Sequence, residues 1–459
     1  MKVALKSLGC RLNEAELEHW AAGFGARGHQ LVEVTDRADL VVINTCAVTA
    51  EAVKKSRQLI RRTQRHNATA KLVVSGCYAS LQPREAGQLP GVDLVVGNPD
   101  KERLVDIVTS TFAEEFAEEL AVDTMPVAAT EPGVNALFAR GRNRAFIKVQ
   151  DGCRHKCTFC IVTVARGAER SRPAPAVVDE INRVHADGVL EVILTGVHIG
   201  GYGPESGTDL AGLLKTLLAE TDIPRIRLGS LEPWNIPDAF FTLFENPRLM
   251  PHLHLPLQSG SDTVLRRMGR RCKQAEFARL AGTLKEHVPD LNITTDIIAG
   301  FPGETASEWQ QTLDFCRESK FAHIHVFPYS ARAGTYAATL PEQVPAAIKK
   351  QRCRELCRLG QQLKHDYMRQ QLGRCFAVLV ENDTGELNGQ QVYFGYSPNY
   401  LRCAIPASGN APRPNSIIEV QAEDYAARNA VLIAMPGSAG TTRRPRSLLP
   451  DAPGRHAPS

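Results

Sequence analysis

The stretch Asp151–Cys160, "DGCRHKCTFC", carries three cysteines in the spacing C-x3-C-x2-C: Cys153, Cys157 and Cys160. The chain has 12 cysteines in 459 residues. Chance gives a particular cysteine two others at fixed offsets with probability about 0.0007, or about 1% over the whole chain. Scattered core cysteines are therefore a poor account of the triplet. A zinc site prefers paired C-x2-4-C units and closes with four ligands. His155 lies between the cysteines, but nothing supplies a matching second pair. An iron–sulfur cluster usually takes four thiolates. Held by three, a cubane keeps one iron open to an oxygen or nitrogen of a substrate or cofactor.

The triplet directly follows an apolar run, "RAFIKVQ" (144–150), and strand–helix alternation continues from there. Further strand candidates are "EVILTGV" (191–197), "RIRLGSL" (225–231), "HLHLPLQ" (252–258), "NITTDIIAGFP" (292–302) and "HIHVFPYS" (323–330). Helical stretches such as "APAVVDEINRVHADG" lie between them, so the pattern is that of a parallel sheet. Six βα units are fewer than the eight of a closed barrel, which predicts an open partial (β/α)6 barrel over 139–370. Chemistry in such barrels sits at the C-terminal strand ends.

Upstream, residues 1–112 also alternate strand and helix, giving a separate α/β domain. Its helix "EAELEHWAAGFGARG" is expected to end at Gly28. Residues 113–138 form an acidic connector with Glu114, Glu115, Glu118, Glu119, Asp123 and Glu131 and no Lys or Arg over 113–135. After a basic helix near 345–371, residues 372–436 read as a small all-β barrel of short strands and Gly, Asn and Pro turns. The Arg- and Pro-rich end, 437–459, is expected to be disordered. The 43% hydrophobic content and net charge of +4 are globular values and do not demand a nucleic-acid partner. No apolar run is long enough for a signal peptide or a membrane span. A cytoplasmic protein is expected, in which cysteines serve metal binding or catalysis rather than disulfides.

A second set of cysteines stands at three strand ends of the N-terminal domain: Cys10 in "SLGCRLN", Cys46 in "VINTCAVT" and Cys77 in "VSGCYAS". In a parallel sheet the loops after successive strands share one edge, so three thiols could converge. Three buried inert cysteines are the alternative. Cys353 and Cys357 stand i, i+4 on a helix and read as core residues.

These stretches resemble a known family. "IKVQDGCRHKCTFCIV" is similar to the signature of radical S-adenosylmethionine enzymes. With "LGCRLNEAE", "VINTCAVTAEAVKKSRQLIRR" and "VVSGCYA" it resembles the methylthiotransferases. "LTGVHIGGYG", "HLHLPLQSGSD", "DIIAGFPGET", "HVFPYSARAGT" and "GYSPNYL" look most like the branch acting on N6-threonylcarbamoyladenosine in tRNA. The resemblance covers roughly residues 1–435. One departure is Thr163-Val164, where the family often has Pro-aromatic before "RG".

The resemblance implies a tRNA-modifying enzyme with two 4Fe–4S clusters and S-adenosylmethionine. Cys153, Cys157 and Cys160 would hold the cluster whose open iron takes the amino and carboxylate groups of S-adenosylmethionine; one electron then yields a deoxyadenosyl radical. Cys10, Cys46 and Cys77 would hold the cluster bearing the sulfur to be transferred. The product would be a methylthio group on carbon 2 of the adenine at position 37, next to the anticodon, a C–H that polar catalysis cannot readily attack. Phe159 is expected to pack on the cofactor adenine, or simply in the core. Gly196 and Gly300 are expected to allow close backbone approach. Gln258 and Asp296 are pocket candidates at strand ends. Implied partners are the tRNA anticodon stem-loop and an electron donor such as flavodoxin or ferredoxin, with no membrane and no DNA. The 372–436 barrel would be a TRAM domain.

Three basic runs could meet phosphates: "EAVKKSRQLIRRTQRH", "IKKQRCRELCRLGQQLKHDYMRQQ" and "LRRMGRRCK". Solvated helix surface is the alternative, expected for at least one of them. Residues 372–435 carry four Arg and six Asp/Glu, so any RNA contact there would fall to Tyr393, Phe394, Tyr396 and Tyr400 unless these pack the barrel. Rival readings are a methylthiotransferase for isopentenyladenosine tRNA or a ribosomal-protein aspartate, or a non-catalytic cluster- or zinc-binding module.

Overall fold

The computed structural model of the protein describes residues 1–32, 38–114, 143–234, 236–407 and 411–436. Beyond its first two residues, the acidic connector lies outside these, as does the Arg/Pro-rich tail. The chain divides into two compact units, Met1–Gln370 and Gln371–Ser459.

The first unit opens with five parallel strands, β1 (Lys2–Ser7), β2 (Gln30–Leu31), β3 (Leu40–Thr45), β4 (Lys71–Gly76) and β5 (Leu94–Val96), in the order β2-β1-β3-β4-β5. Every residue of β3 is buried, as expected of a central parallel strand covered on both faces. Its alternation sends Val41 and Ile43 to one core with Val53 and Ile60 of the helix Ala50–His66. Leu40 and Val42 go to the other, with Leu17, Trp20 and Phe24 of the helix Arg11–Ala26. Each such side chain contributes about 1.5–3 kcal/mol of burial. The helix Ala50–His66 starts where the Thr49 hydroxyl accepts from the Ala52 N–H at 3.1 Å. The helix Arg11–Ala26 stops before Gly28, whose φ of +77° turns the chain left-handed, as the sequence predicts.

The six barrel strands then follow: β6 (Arg144–Lys148), a short β7–β8 ribbon (Gln150–Asp151 with Arg170–Ser171), β9 (Glu191–Thr195), β10 (Arg225–Leu228), β11 (His252–His254), β12 (Asn292–Ala299) and β13 (His323–Pro328). Parallel pairing runs β6-β9-β10 and β11-β12-β13, and the parallel bridges Ile226↔Leu249 and Ser230↔His254 join the two halves. The result is the open six-stranded arrangement expected. Asp296 is a correction: it lies inside β12, not at its end, because the strand runs on to Ala299, whose carbonyl accepts from the Tyr329 N–H at 2.9 Å. The N-terminal domain reaches both free edges. Glu18 accepts from the Phe146 N–H of β6 at 2.9 Å, and the Ala50 N–H donates to Ser330, beyond β13, at 3.4 Å.

At the other end of the strands Glu191, fully buried, accepts from Arg227 Nε at 2.9 Å and pairs with Arg225 at 3.5 Å. Burial alone would raise the Glu191 carboxyl, but the Arg227 guanidinium outweighs it and holds the carboxyl at about 2. A carboxyl depressed in the folded state stabilises above its unfolded value and loses that contribution as pH falls through the folded one. Glu191→Gln, which leaves two buried guanidinium groups short of a counter-charge, is expected to cost about 3–5 kcal/mol at neutral pH. The gap to wild type should close as pH falls from about 4 toward about 2. Urea titrations of the metal-free chain across that range check this; a gap independent of pH would mean the pair is not charged.

The second unit is a closed five-stranded barrel of β14 (Cys375–Leu387), β15 (Gln390–Tyr396), β16 (Arg402–Pro406), β17 (Ile417–Ala426) and β18 (Val431–Pro436), ordered β14-β15-β16-β18-β17. A register shift between Val380 and Thr384 lets β14 pair with two neighbours. A Cβ at Gly395 would strike the Leu379 backbone. Among its aromatics Phe394 is buried beneath Arg402, while Tyr396 and Tyr400 stack with centroids 4.9 Å apart. Among the described residues no helix is long and apolar enough to cross a membrane.

Candidate active site between two cysteine trios

Strands β1, β3 and β4 are neighbours and parallel, so the chain leaves all three at one edge. Cys10 follows β1 as the N-cap of the helix Arg11–Ala26, Cys46 follows β3, and Cys77 opens the short helix Cys77–Leu81 after β4. Gly9, at φ +120°, passes so close that a Cβ there would lie 2.9 Å from Cys46 Sγ. Cys46 is buried, and burial, with Cys10 and Cys77 beside it, pushes its thiol up to about 11. Two asparagines pin these loops. Buried Asn13 donates to the Leu8 and Thr45 carbonyls at 2.7 and 3.2 Å, and Asn98 donates to the Ala165 carbonyl at 2.6 Å, with Cys77 Sγ at 3.9 Å.

The second trio lies in the loop after β6 and β7. The Cys153 N–H donates to the Gly167 carbonyl at 3.1 Å, and the Cys160 N–H to the Cys157 carbonyl at 3.0 Å. Donors face the sulfurs: the His155 backbone nitrogen lies 3.4 Å from Cys153 Sγ and an Arg270 guanidinium nitrogen 3.8 Å from Cys157 Sγ. Burial pushes Cys153 up to about 12, and Glu232, Cys160 and Cys157 add to it. Burial likewise raises Cys160. Burial pushes the isolated core thiols Cys272 and Cys316 up to about 12 as well, so the grouping of three thiols, not the shift, marks this site.

A single short helix, Val162–Arg166, joins the two trios. It begins two residues after Cys160, and its Ala165 packs in the core of the N-terminal sheet beside Cys77 and Tyr78. Arg166, buried, donates to Asn13 Oδ1 at 3.0 Å, to Glu16 at 2.8 Å and to Asp151 at 3.0 Å. Lys101 and Lys148 complete the network around Glu16. Burial alone would raise the Glu16 carboxyl, but these cations hold it far below the usual carboxylate range. Removing one partner from such a buried set costs about 3–5 kcal/mol, so it locks the two trios into one frame. At the position where the family often has proline, Thr163 donates its hydroxyl to the His155 carbonyl at 3.1 Å, and Val164 is exposed.

Beside Cys153 lies a polar group that spacing did not reveal. His198 Nδ1 is 2.9 Å from Glu169 and its Nε2 is 3.3 Å from His155 Nε2. Burial, with His198 beside it, lowers His155 to about 4. Glu232 Oε2 is buried with no hydrogen-bond partner, with His198 Nε2 at 3.7 Å, and Arg270 lies 4.5 Å over the Trp234 ring. Burial raises the Glu232 carboxyl. His198 and Glu232 each follow a strand end by a few residues, the one signal that could have found them.

The remaining sequence candidates divide. Phe159 packs edge-on against Phe301, centroids 6.5 Å apart, with Val264, Met268 and Tyr329. Gly196 makes room for Gln150 and Ile199. Gly300 is left-handed, with φ +75°, and faces the Lys349 side chain. Gln258 holds a strained φ of +81°, its N–H donating to the Asp296 carbonyl at 2.8 Å. Asp296 itself faces His254 and His325. Of the basic runs, Lys54, Lys55, Arg61, Arg62 and Arg65 are exposed along one helix. Arg352 turns inward to Glu304. In "LRRMGRRCK", Arg267 pairs with Glu308 and Arg270 points at the trio, while Arg266, Arg271 and Lys273 are exposed.

Residues 2–97 match the uncharacterized protein family UPF0004 and residues 147–316 the radical SAM superfamily. The chain is 38% identical over 403 residues to the threonylcarbamoyladenosine tRNA methylthiotransferase MtaB of Bacillus subtilis, covering 87% of this chain and 89% of that protein. It is 35% identical over 395 residues to the tRNA-2-methylthio-N(6)-dimethylallyladenosine synthase of Anaeromyxobacter dehalogenans, covering 84% of each. Among solved structures it is similar in fold to the radical S-adenosylmethionine methyltransferase TsrM of Kitasatospora setae, with a TM-score of 0.56 and 18% identity over 73% of this chain and 77% of that one.

Proposed function

The chain belongs to the radical S-adenosylmethionine tRNA methylthiotransferases, and from that membership we propose that it adds a methylthio group to carbon 2 of N6-threonylcarbamoyladenosine in tRNA. The observation that carries the reading is the pair of cysteine trios held in one frame by Arg166. One trio would serve radical generation and the other sulfur delivery, and carbon 2 must reach both.

The donor sets suit two 4Fe–4S clusters. Each offers three thiols in one place, at one sheet edge or in one loop, and three leave one iron open. Cys153, Cys157 and Cys160 would hold the cluster that engages S-adenosylmethionine, and Cys10, Cys46 and Cys77 the other. Bound there, reduced cluster and S-adenosylmethionine together supply a carbon-centred oxidant strong enough for an unactivated C–H. The protein's own part is positioning. Glu232 Oε2, which makes no hydrogen bond, suits the cofactor's ammonium group, and Arg270, stacked on Trp234, suits its carboxylate. Donors from His155 and Arg270 to the sulfurs would tune the potential of a cluster held there. The exposed cations of the helix Ala50–His66 suit tRNA phosphates, and the closed barrel, read as a TRAM domain, would add aromatic contacts through Tyr396 and Tyr400. An electron donor such as flavodoxin or ferredoxin and a cytoplasmic setting complete the proposal.

The test is a deletion strain carrying the gene back on a plasmid. Mass spectrometry of tRNA nucleosides is expected to show methylthio-threonylcarbamoyladenosine only when the gene is present. Restoration of methylthio-isopentenyladenosine instead, or of a ribosomal-protein modification, would replace the substrate assignment.

A further inference from the structure

We propose that His254, Asp296 and His325 recognise the anionic N6 substituent of the substrate adenosine and set its choice over an apolar one; this rests on the function just proposed.

The register of β11, β12 and β13 aligns His254 with Thr294, and Asp296 with His325. Their alternate neighbours Leu253, Ile293, Ile297, Ile324 and Val326 pack into the outer core, so the polar set faces the lumen of the half-barrel. A hydrogen-bonded chain fixes it. His252 Nε2 is 3.3 Å from Thr294 Oγ1, which is 2.9 Å from His254 Nδ1, and His254 Nε2 is 3.2 Å from Asp296 Oδ1. The chain ends at Asp296, whose carboxylate has capacity left to accept. His325 packs edge-on to His254 with centroids 5.5 Å apart, and is exposed. Two residues along the same face of β13, Phe327 leaves 45% of its surface exposed, an aromatic plane on which a base can stack.

Within the set Asp296 is already paired with His254, which leaves the exposed His325 as the donor free to meet an anion.

A threonylcarbamoyl group presents a carboxylate, a hydroxyl and urea N–H groups. Asp296 can accept from the N–H and O–H groups, while His325 donates to the carboxylate. A hydrocarbon substituent would desolvate His325 and the remaining accepting capacity of Asp296 without replacing the lost hydrogen bonds, a strong form of discrimination. The ligand atoms of the three residues lie within 4.8 Å of one another, a spacing that would also suit a divalent cation. The hydrogen bond that His254 already makes to Asp296 favours an organic ligand.

The test uses the anaerobically reconstituted full chain and three anticodon stem-loop RNAs: one with threonylcarbamoyladenosine, one with its neutral carboxamide, one with isopentenyladenosine. Wild type is expected to favour the carboxylate over the carboxamide at least about tenfold in kcat/KM, mostly through KM, the scale of a charge-assisted hydrogen bond. His325→Leu should bring that ratio near one by losing on the carboxylate alone, and His325→Gln should regain part of it. His325→Ala makes the same comparison if the leucine variant folds poorly. Equal losses on carboxylate and carboxamide would overturn the proposal and leave His325 a structural residue. Stoichiometric Co2+ binding with visible bands lost in Asp296→Asn would make this a cation site and overturn it as well. Wild-type preference for isopentenyladenosine would overturn the substrate assignment itself, a result distinct from both.

Discussion

Replacing any one of Cys153, Cys157 and Cys160 by alanine is expected to reduce 5′-deoxyadenosine formation to background. With two thiolates a cubane loses a second iron–protein bond, and the open iron that distinguishes a radical-generating cluster no longer has a defined position. Nearby side chains do not substitute. His155 is already directed at His198, and Glu169 at His198 and the Arg154 N–H. Each variant should be compared by iron content, by absorbance near the cluster's charge-transfer band, and by 5′-deoxyadenosine released with dithionite as reductant. Normal release from a variant that has lost its cluster would remove the triplet from the chemistry.

The complementary variant, Cys10/Cys46/Cys77→Ala, is expected to separate radical formation from sulfur transfer. It should bind about four irons rather than about eight, one cubane per trio. It should still cleave S-adenosylmethionine, yet leave the tRNA adenosine without a methylthio group. The frame around Arg166 gives the reason to expect a folded product: Asn13, Glu16, Lys101, Lys148 and Asp151 hold it without any of the three thiols. Retention of all the iron would mean these cysteines hold no cluster. Normal methylthio transfer would mean that the sulfur comes from elsewhere.

How Arg166 couples the trios explains why these two experiments differ. The helix Val162–Arg166 starts just past Cys160, with Ile161 as its N-cap, and its Ala165 reaches the N-terminal core. Loss of the barrel trio removes thiols at the start of this helix; loss of the N-terminal trio removes thiols beyond its end and leaves the start intact.

The sequence by itself determined the six barrel strands and four of the five strands of the first sheet, because short apolar runs bounded by turn residues report burial on both faces; β2, two residues at the sheet edge, carries no such run. It also marked both cysteine sets: C-x3-C-x2-C is local, and Cys10, Cys46 and Cys77 each close a strand. What it could not determine is which buried polar groups meet. Arg166 and Asn13 are 153 residues apart, and Lys101 and Glu16 are 85 apart. A hydrophobic pattern states that a position is inside but not which charge it faces. Asp296 shows the same limit: its run ends in Gly300 and reads as a strand end, yet pairing with β13 carries the strand to Ala299 and sets Asp296 in the lumen. Periodicity chose the face of each strand; only tertiary structure, by curving six strands around one space and bringing the N-terminal domain to both of its free edges, decided what those faces hold in common.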